Sequence, residues 1–174
     1  MIRRLLLLVL ALSTVCFAQR PPVKSQLLDR LAGKWVSKAE IGSHKSIRDV
    51  EGEWVIQHHY LRLHEVSREK DANGKALYEA MEYLTTGPGK NQIQCVWLDV
   101  FAGSGLTFVG VADAKENDIP FVFKDDKGEV GFTNEFTYDP KTDSWQWTMS
   151  NIDHGKATPF GTEKLSRAAA QTQS

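Results

Sequence analysis

The 174 residues carry 21 basic and 22 acidic side chains, a formal net charge of −1 at pH 7. That balance excludes a generally basic nucleic-acid binder, and 41% apolar with 25% charged residues excludes a disordered chain. The length fits one domain, and 13 glycines with 10% aromatics lean toward sheet.

The chain opens like an export leader. Arg3 and Arg4 precede an unbroken apolar run from Leu5 to Leu12, and Ser13 to Ala18 lead to a small-residue cleavage position after Ala18. The run is shorter than the roughly 20 residues that span a bilayer. Cys16 raises lipidation as the less fitting alternative, since Val15 and Ser13 depart from the usual lipoprotein residues. Removing residues 1–18 leaves 156 of the 174, a charge of −3 once Arg3 and Arg4 are gone, and Cys95 as the one cysteine. Such a chain has no internal disulfide and relies on its core. The expected end point is the periplasm or the medium.

Residues 19–26, with Pro21-Pro22, read as an extended lead-in. Ser25 is placed to cap a short helix whose apolar stripe is Leu27, Leu28 and Leu31, ended by Gly33. Two turns are too few to stand alone, so this helix must pack on something larger. Beyond Lys34 the helical period gives way to short runs between turns. The runs are Trp35–Ile41, Ile47–Gln57, His58–Arg68, Leu77–Thr85, Asn91–Phe101, Leu106–Ala112, Ile119–Lys124, Val130–Tyr138, Ser144–Ile152 and Lys156–Leu165. Asp71–Gly74, Gly87–Gly89, Asp125–Gly128 and Asp139–Asp143 supply turn chemistry between them. Residues 166–174 read as a frayed tail.

About ten strands with short links leave no room for parallel crossovers. The expectation is an all-β, up-and-down antiparallel barrel over residues 27–165 with a short N-terminal helix. Closure removes the exposed edges that an open sheet would carry. A two-sheet sandwich is the alternative.

Alternation assigns the faces. Ile93, Cys95, Trp97, Asp99 and Phe101 share one face of their run. So do Phe132, Asn134 and Phe136 with Tyr138, and Trp145 and Trp147 with Met149 and Asn151. These aromatic faces should line the interior. An interior that also holds Asp99, Asn134 and Asn151 suits a cavity with a ligand or water, or else a filled core with satisfied polar groups. Trp97, Phe101, Phe132, Phe136, Trp145 and Trp147 are the expected wall, with Asp99 and Asn134 as its polar points. Trp35 is expected beneath the helix as a plug.

The strand His58–His64 can be read in two orientations. In one, Arg62 points inward and orients an acidic head group. In the other, Leu61 and Leu63 fill the core and Arg62 meets solvent. Its three histidines do not make a metal site in an extended strand. His58 and His64 stand about 20 Å apart and His59 points the other way. A haem needs one axial histidine, for which His154 at the last turn is the candidate. No nucleophile elbow, Walker loop or dinucleotide loop is present, so enzymatic function has no motif to stand on.

The start Leu28-Asp-Arg-Leu31-Ala-Gly33-Lys-Trp35 resembles the short helix and Gly-x-Trp of calycin barrels, the superfamily of lipocalins and fatty-acid-binding proteins. Tyr78–Tyr83, Trp97-Leu-Asp99 and Phe136–Asp139 resemble an exported bacterial lipocalin-like family of unknown function. Nitrobindins are less similar, because Val36–Glu40 lacks their glycines. The resemblance implies a barrel with a helix near one mouth and names no activity. The function expected is interior binding of a small apolar or amphipathic molecule. The alternatives are a solid barrel presenting an interaction surface and a haem-binding or enzymatic barrel.

Overall fold

A computed structural model describes residues 21–101 and 109–169. The expected leader, residues 1–18, lies outside them, as do residues 102–108 and 170–174 of the tail.

One short helix, α1 (Gln26–Leu31), precedes ten strands: β1 (Gly33–Ile41), β2 (His44–Val55), β3 (Tyr60–Ser67), β4 (Glu79–Thr86), β5 (Gln92–Asp99), β6 (Val109–Asp113), β7 (Asp118–Lys124), β8 (Val130–Asp139), β9 (Ser144–Asp153) and β10 (Lys156–Arg167). Each pairs antiparallel with its neighbour in sequence, and β1 pairs with β10 to close the barrel. The strands therefore run up and down in sequence order, and the sandwich alternative is excluded. No helix among the described residues is long and apolar enough to cross a membrane.

The two ends of the barrel differ. The Ser25 hydroxyl accepts the Leu28 N–H at 3.4 Å and starts α1. Leu27, Leu28 and Leu31 are buried, so the helix lies on the end of the barrel as a plug. Gly52 of β2 permits this contact: a Cβ there would sit 2.5 Å from the Leu31 carbonyl oxygen. Trp35, at 1% exposure, donates from Nε1 to the same carbonyl at 2.8 Å. Arg167 stacks over the Trp35 ring at 3.6 Å and donates to the carbonyls of Ala32 (2.7 Å) and Arg30 (3.1 Å) and to Asp143 (2.8 Å). One guanidinium thus ties the last strand, the helix end and the β8–β9 turn together. Inside this end, Phe136 stacks on Trp147 with ring centroids 4.2 Å apart, and Leu61, Leu63, Leu84, Ile119 and Leu165 are fully buried around them. Burial of each such ring is worth about 3–5 kcal/mol against truncation to alanine.

The link between β2 and β3 corrects the sequence reading, which ran strands through Gln57 and His58. Ile56, Gln57 and His58 all have positive φ (49°, 55° and 66°) and form a turn. Non-glycine residues adopt that conformation at roughly 1 kcal/mol or more each. The Val23 N–H bonds the His58 carbonyl at 3.0 Å and the His58 ring stacks on Trp54 at 4.0 Å, which holds the turn against that cost.

Candidate functional site

Among the described residues the opposite end is open. Between the hairpins β1–β2, β3–β4 and β7–β8 the barrel opens into a cavity of about 1120 Å³. Trp97, Phe123, Phe132 and Phe160 form an aromatic wall in sequential edge contact: Trp97 to Phe123 at 6.3 Å, Phe123 to Phe132 at 5.8 Å and Phe132 to Phe160 at 5.5 Å. Two backbone features allow that wall. Gly110 leaves room for Phe123, whose ring would lie 2.6 Å from a Cβ at that position. A register shift between Pro159 and Gly161 leaves Phe160 without a partner on β9; its carbonyl accepts the Gly42 N–H at 3.1 Å and its side chain joins the cavity lining. Phe101 stands at the mouth, stacked on Tyr78 at 5.9 Å and 76% exposed.

Between the cavity and the packed end lies a polar layer drawn from five strands. Arg48 of β2 is 6% exposed. Its Nη1 donates to Glu65 at 2.9 Å and to Glu163 at 2.7 Å, and its Nε donates to Ser46 at 3.2 Å. The guanidinium lies 4.1 Å from the centroid of Tyr78. The Ser37 hydroxyl donates to the second oxygen of Glu163 at 2.8 Å. Glu82 of β4 is fully buried beside this group, and neither of its carboxyl oxygens has a hydrogen-bond partner among the described residues.

One arginine therefore faces three carboxyl groups. Burial works against the Arg48 charge, but Glu163 and Glu65 outweigh it and raise its pKa. Burial pushes the Glu65 carboxyl well above the usual carboxylate range; nearby Glu163 adds to this and Arg48 opposes it. Glu82 is likewise held well above that range, first by burial and then by Glu163, with Asp99 contributing. Burial and the Glu65 and Glu82 charges raise the Tyr78 phenol. The layer thus favours retained protons on Glu65 and Glu82, which lowers the charge that one guanidinium must balance.

The residues expected from the sequence divide into three groups. Trp97, Asp99, Phe101 and Phe132 line the cavity. Asn134, Phe136, Trp145 and Trp147 point inward but lie at 0% exposure in the packed half and do not line the cavity. The stagger of the closed sheet puts these four nearer the helix than the mouth. Both side-chain polar atoms of Asn134 and the indole Nε1 atoms of Trp145 and Trp147 are buried with no partner among the described residues.

Arg62 is the correction. Leu61, Leu63, Glu65 and Ser67 alternate inward on β3, so Arg62 falls on the outer face and bonds Glu53 at 2.7 Å. The reason is apolar burial: two leucines outweigh one arginine in choosing the face. His64, on the same outer face, pairs with Glu79 at 2.8 Å. His154 occupies the exposed β9–β10 turn and bonds its neighbour Asp153 at 2.7 Å.

The sequence reading missed Ser37, Arg48, Glu65 and Glu163, and considered Glu82 only as a partner for an inward arginine or as an acid-base group. A signal existed for Glu65 and Glu82, which share parity with Leu63 and Leu84. For Arg48 the signal was mixed: buried Val50 shares its parity, but Ile47 beside it looks like the inward residue and is 43% exposed.

A closed ten-stranded antiparallel barrel with a short helix across one end fits the calycin-like architecture. No family model and no curated protein matches the chain.

Proposed function

We propose that this protein is an exported, lipocalin-like carrier that takes a small, largely apolar molecule into the open half of its barrel. The observation that carries the reading is the cavity of about 1120 Å³ walled by Trp97, Phe123, Phe132 and Phe160. Ligand pockets are characteristically concave and aromatic, with a few placed polar groups. Burying a twelve-carbon chain there would yield about 10 kcal/mol before the costs of ordering and association. The α1 plug and the Gly33-Lys34-Trp35 start support the lipocalin-like assignment. The order of Arg3-Arg4, Leu5–Leu12 and Ala18 supports export.

Titration with the neutral fluorophore N-phenyl-1-naphthylamine tests the binding. The expected result is saturable fluorescence enhancement with energy transfer from tryptophan that falls sharply in Trp97→Phe. Absence of saturable binding by this probe and by alkyl amines, alcohols and acids would overturn it. Export is tested by sequencing the N-terminus of the protein recovered outside the cytoplasm, where Gln19 is the residue expected first.

A further inference from the structure

The carrier reading leaves the ligand's polar group open, and the charge around the cavity bears on it directly. One of the two orientations read from the sequence set an inward arginine, Arg62, against an acidic head group. The arginine that does face inward is Arg48, and two of its three guanidinium nitrogens are already engaged. Its Nη1 is shared between Glu65 and Glu163, and its Nε is taken by Ser46. An incoming carboxylate would find only Nη2 without a partner among the described residues, and would reach it beside the Glu65 and Glu163 carboxyl groups already held at 2.9 and 2.7 Å.

The rest of the lining points the same way. Two fixed cations, Arg48 and Lys124, stand against five carboxyl groups: Glu163 and Asp99 inside, with Glu69, Asp125 and Asp126 toward the rim. Leaving aside His44, which bonds Glu69 at 2.9 Å, that is a formal charge of −3 around one apolar cavity. A cleft lined by one sign of charge with low-dielectric walls focuses its field and concentrates ligands of the opposite sign. The aromatic wall adds to this preference, because ring faces carry negative electrostatic potential and attract cations.

Resting on the carrier reading, we infer that the natural ligand is a cationic amphiphile, an alkyl chain or ring system bearing a protonated amine, and not a fatty acid. The hydrocarbon lies against Trp97, Phe132 and Phe160, and the ammonium is balanced by the excess carboxylates of the lining.

Dodecylamine, dodecanol and dodecanoate share one chain and differ in the charge of the head. Titration of the full protein with each at pH 7 and low salt, below its aggregation concentration, separates the possibilities. Displacement of N-phenyl-1-naphthylamine is the readout. The amine should bind about tenfold more tightly than the carboxylate, with the alcohol between them, and salt should compress the difference. Neutralising two lining charges in Asp99→Asn/Asp126→Asn should reduce the amine's advantage over the alcohol severalfold. Dodecanoate binding as tightly as dodecylamine would overturn the inference and leave the apolar carrier intact. Failure of all three would overturn the carrier reading as well.

Discussion

Replacing Arg48 by methionine removes the one cation of the buried polar layer while nearly preserving side-chain volume. The guanidinium is 6% exposed, so solvent screens it little. It makes two charged hydrogen bonds (2.9 and 2.7 Å), one to Ser46 (3.2 Å), and a ring contact with Tyr78 at 4.1 Å. Removing one partner of a buried ion cluster costs about 3–5 kcal/mol, because the remaining charges are left without compensation. For a chain of this size, each kcal/mol moves Tm by about 2–4 °C, so the fall should be roughly 6–20 °C. The cost should depend on pH. Glu65 is already held above its ordinary range in the fold, and Arg48 is the group that opposes this. Without Arg48 it rises further. A carboxyl raised on folding contributes stability at low pH that is lost as pH climbs through its folded value. Urea unfolding at pH 5, 7 and 9 should therefore show the Arg48→Met deficit widening with pH. Adding Glu163→Gln should recover part of it. A deficit below about 1 kcal/mol at pH 7, or one that does not change with pH, would refute the account of the layer.

Glu82→Gln removes a fully buried carboxyl that the fold holds above its ordinary range. Since that raised group loses its stabilising contribution as pH rises, the variant should gain on the parent between pH 6 and pH 9 in urea titrations. A gain at the acid end instead would mean that the carboxyl is lowered. Gly52→Ala brings a Cβ within 2.5 Å of the Leu31 carbonyl oxygen. It should cost about 1–3 kcal/mol, the range for overpacking, measured by thermal unfolding. Arg62→Ala removes only a part-exposed pair with Glu53 on the outer face. It should change stability by about 1 kcal/mol or less and leave N-phenyl-1-naphthylamine binding unaltered; weakened binding would place Arg62 in the site after all.

Much of the architecture was legible in the sequence by itself. Period-two alternation, hairpin turns at Asp71–Gly74 and Asp125–Gly128, and the absence of any long helical segment determined an antiparallel, up-and-down barrel. Ser25 and the Leu27, Leu28, Leu31 stripe determined the plug helix. The inward face of β5, β8 and β9 was also legible, because large aromatic residues mark it without ambiguity. Only the tertiary structure decided which inward residues meet the cavity. Phe132 lines it while Phe136, four residues along the same face of β8, is sealed in the packed end. That difference is axial height in a tilted, staggered sheet, which a single strand does not encode. The polar layer was hidden for a related reason. Arg48, Glu65, Glu82 and Glu163 lie on four strands, and Ile47 gives β2 a misleading phase. Closure of β10 onto β1 and the pairing of β2 with β3 bring Glu163, Arg48 and Glu65 within hydrogen-bonding distance. Charges so far apart in the chain become one buried cluster only when the barrel shuts.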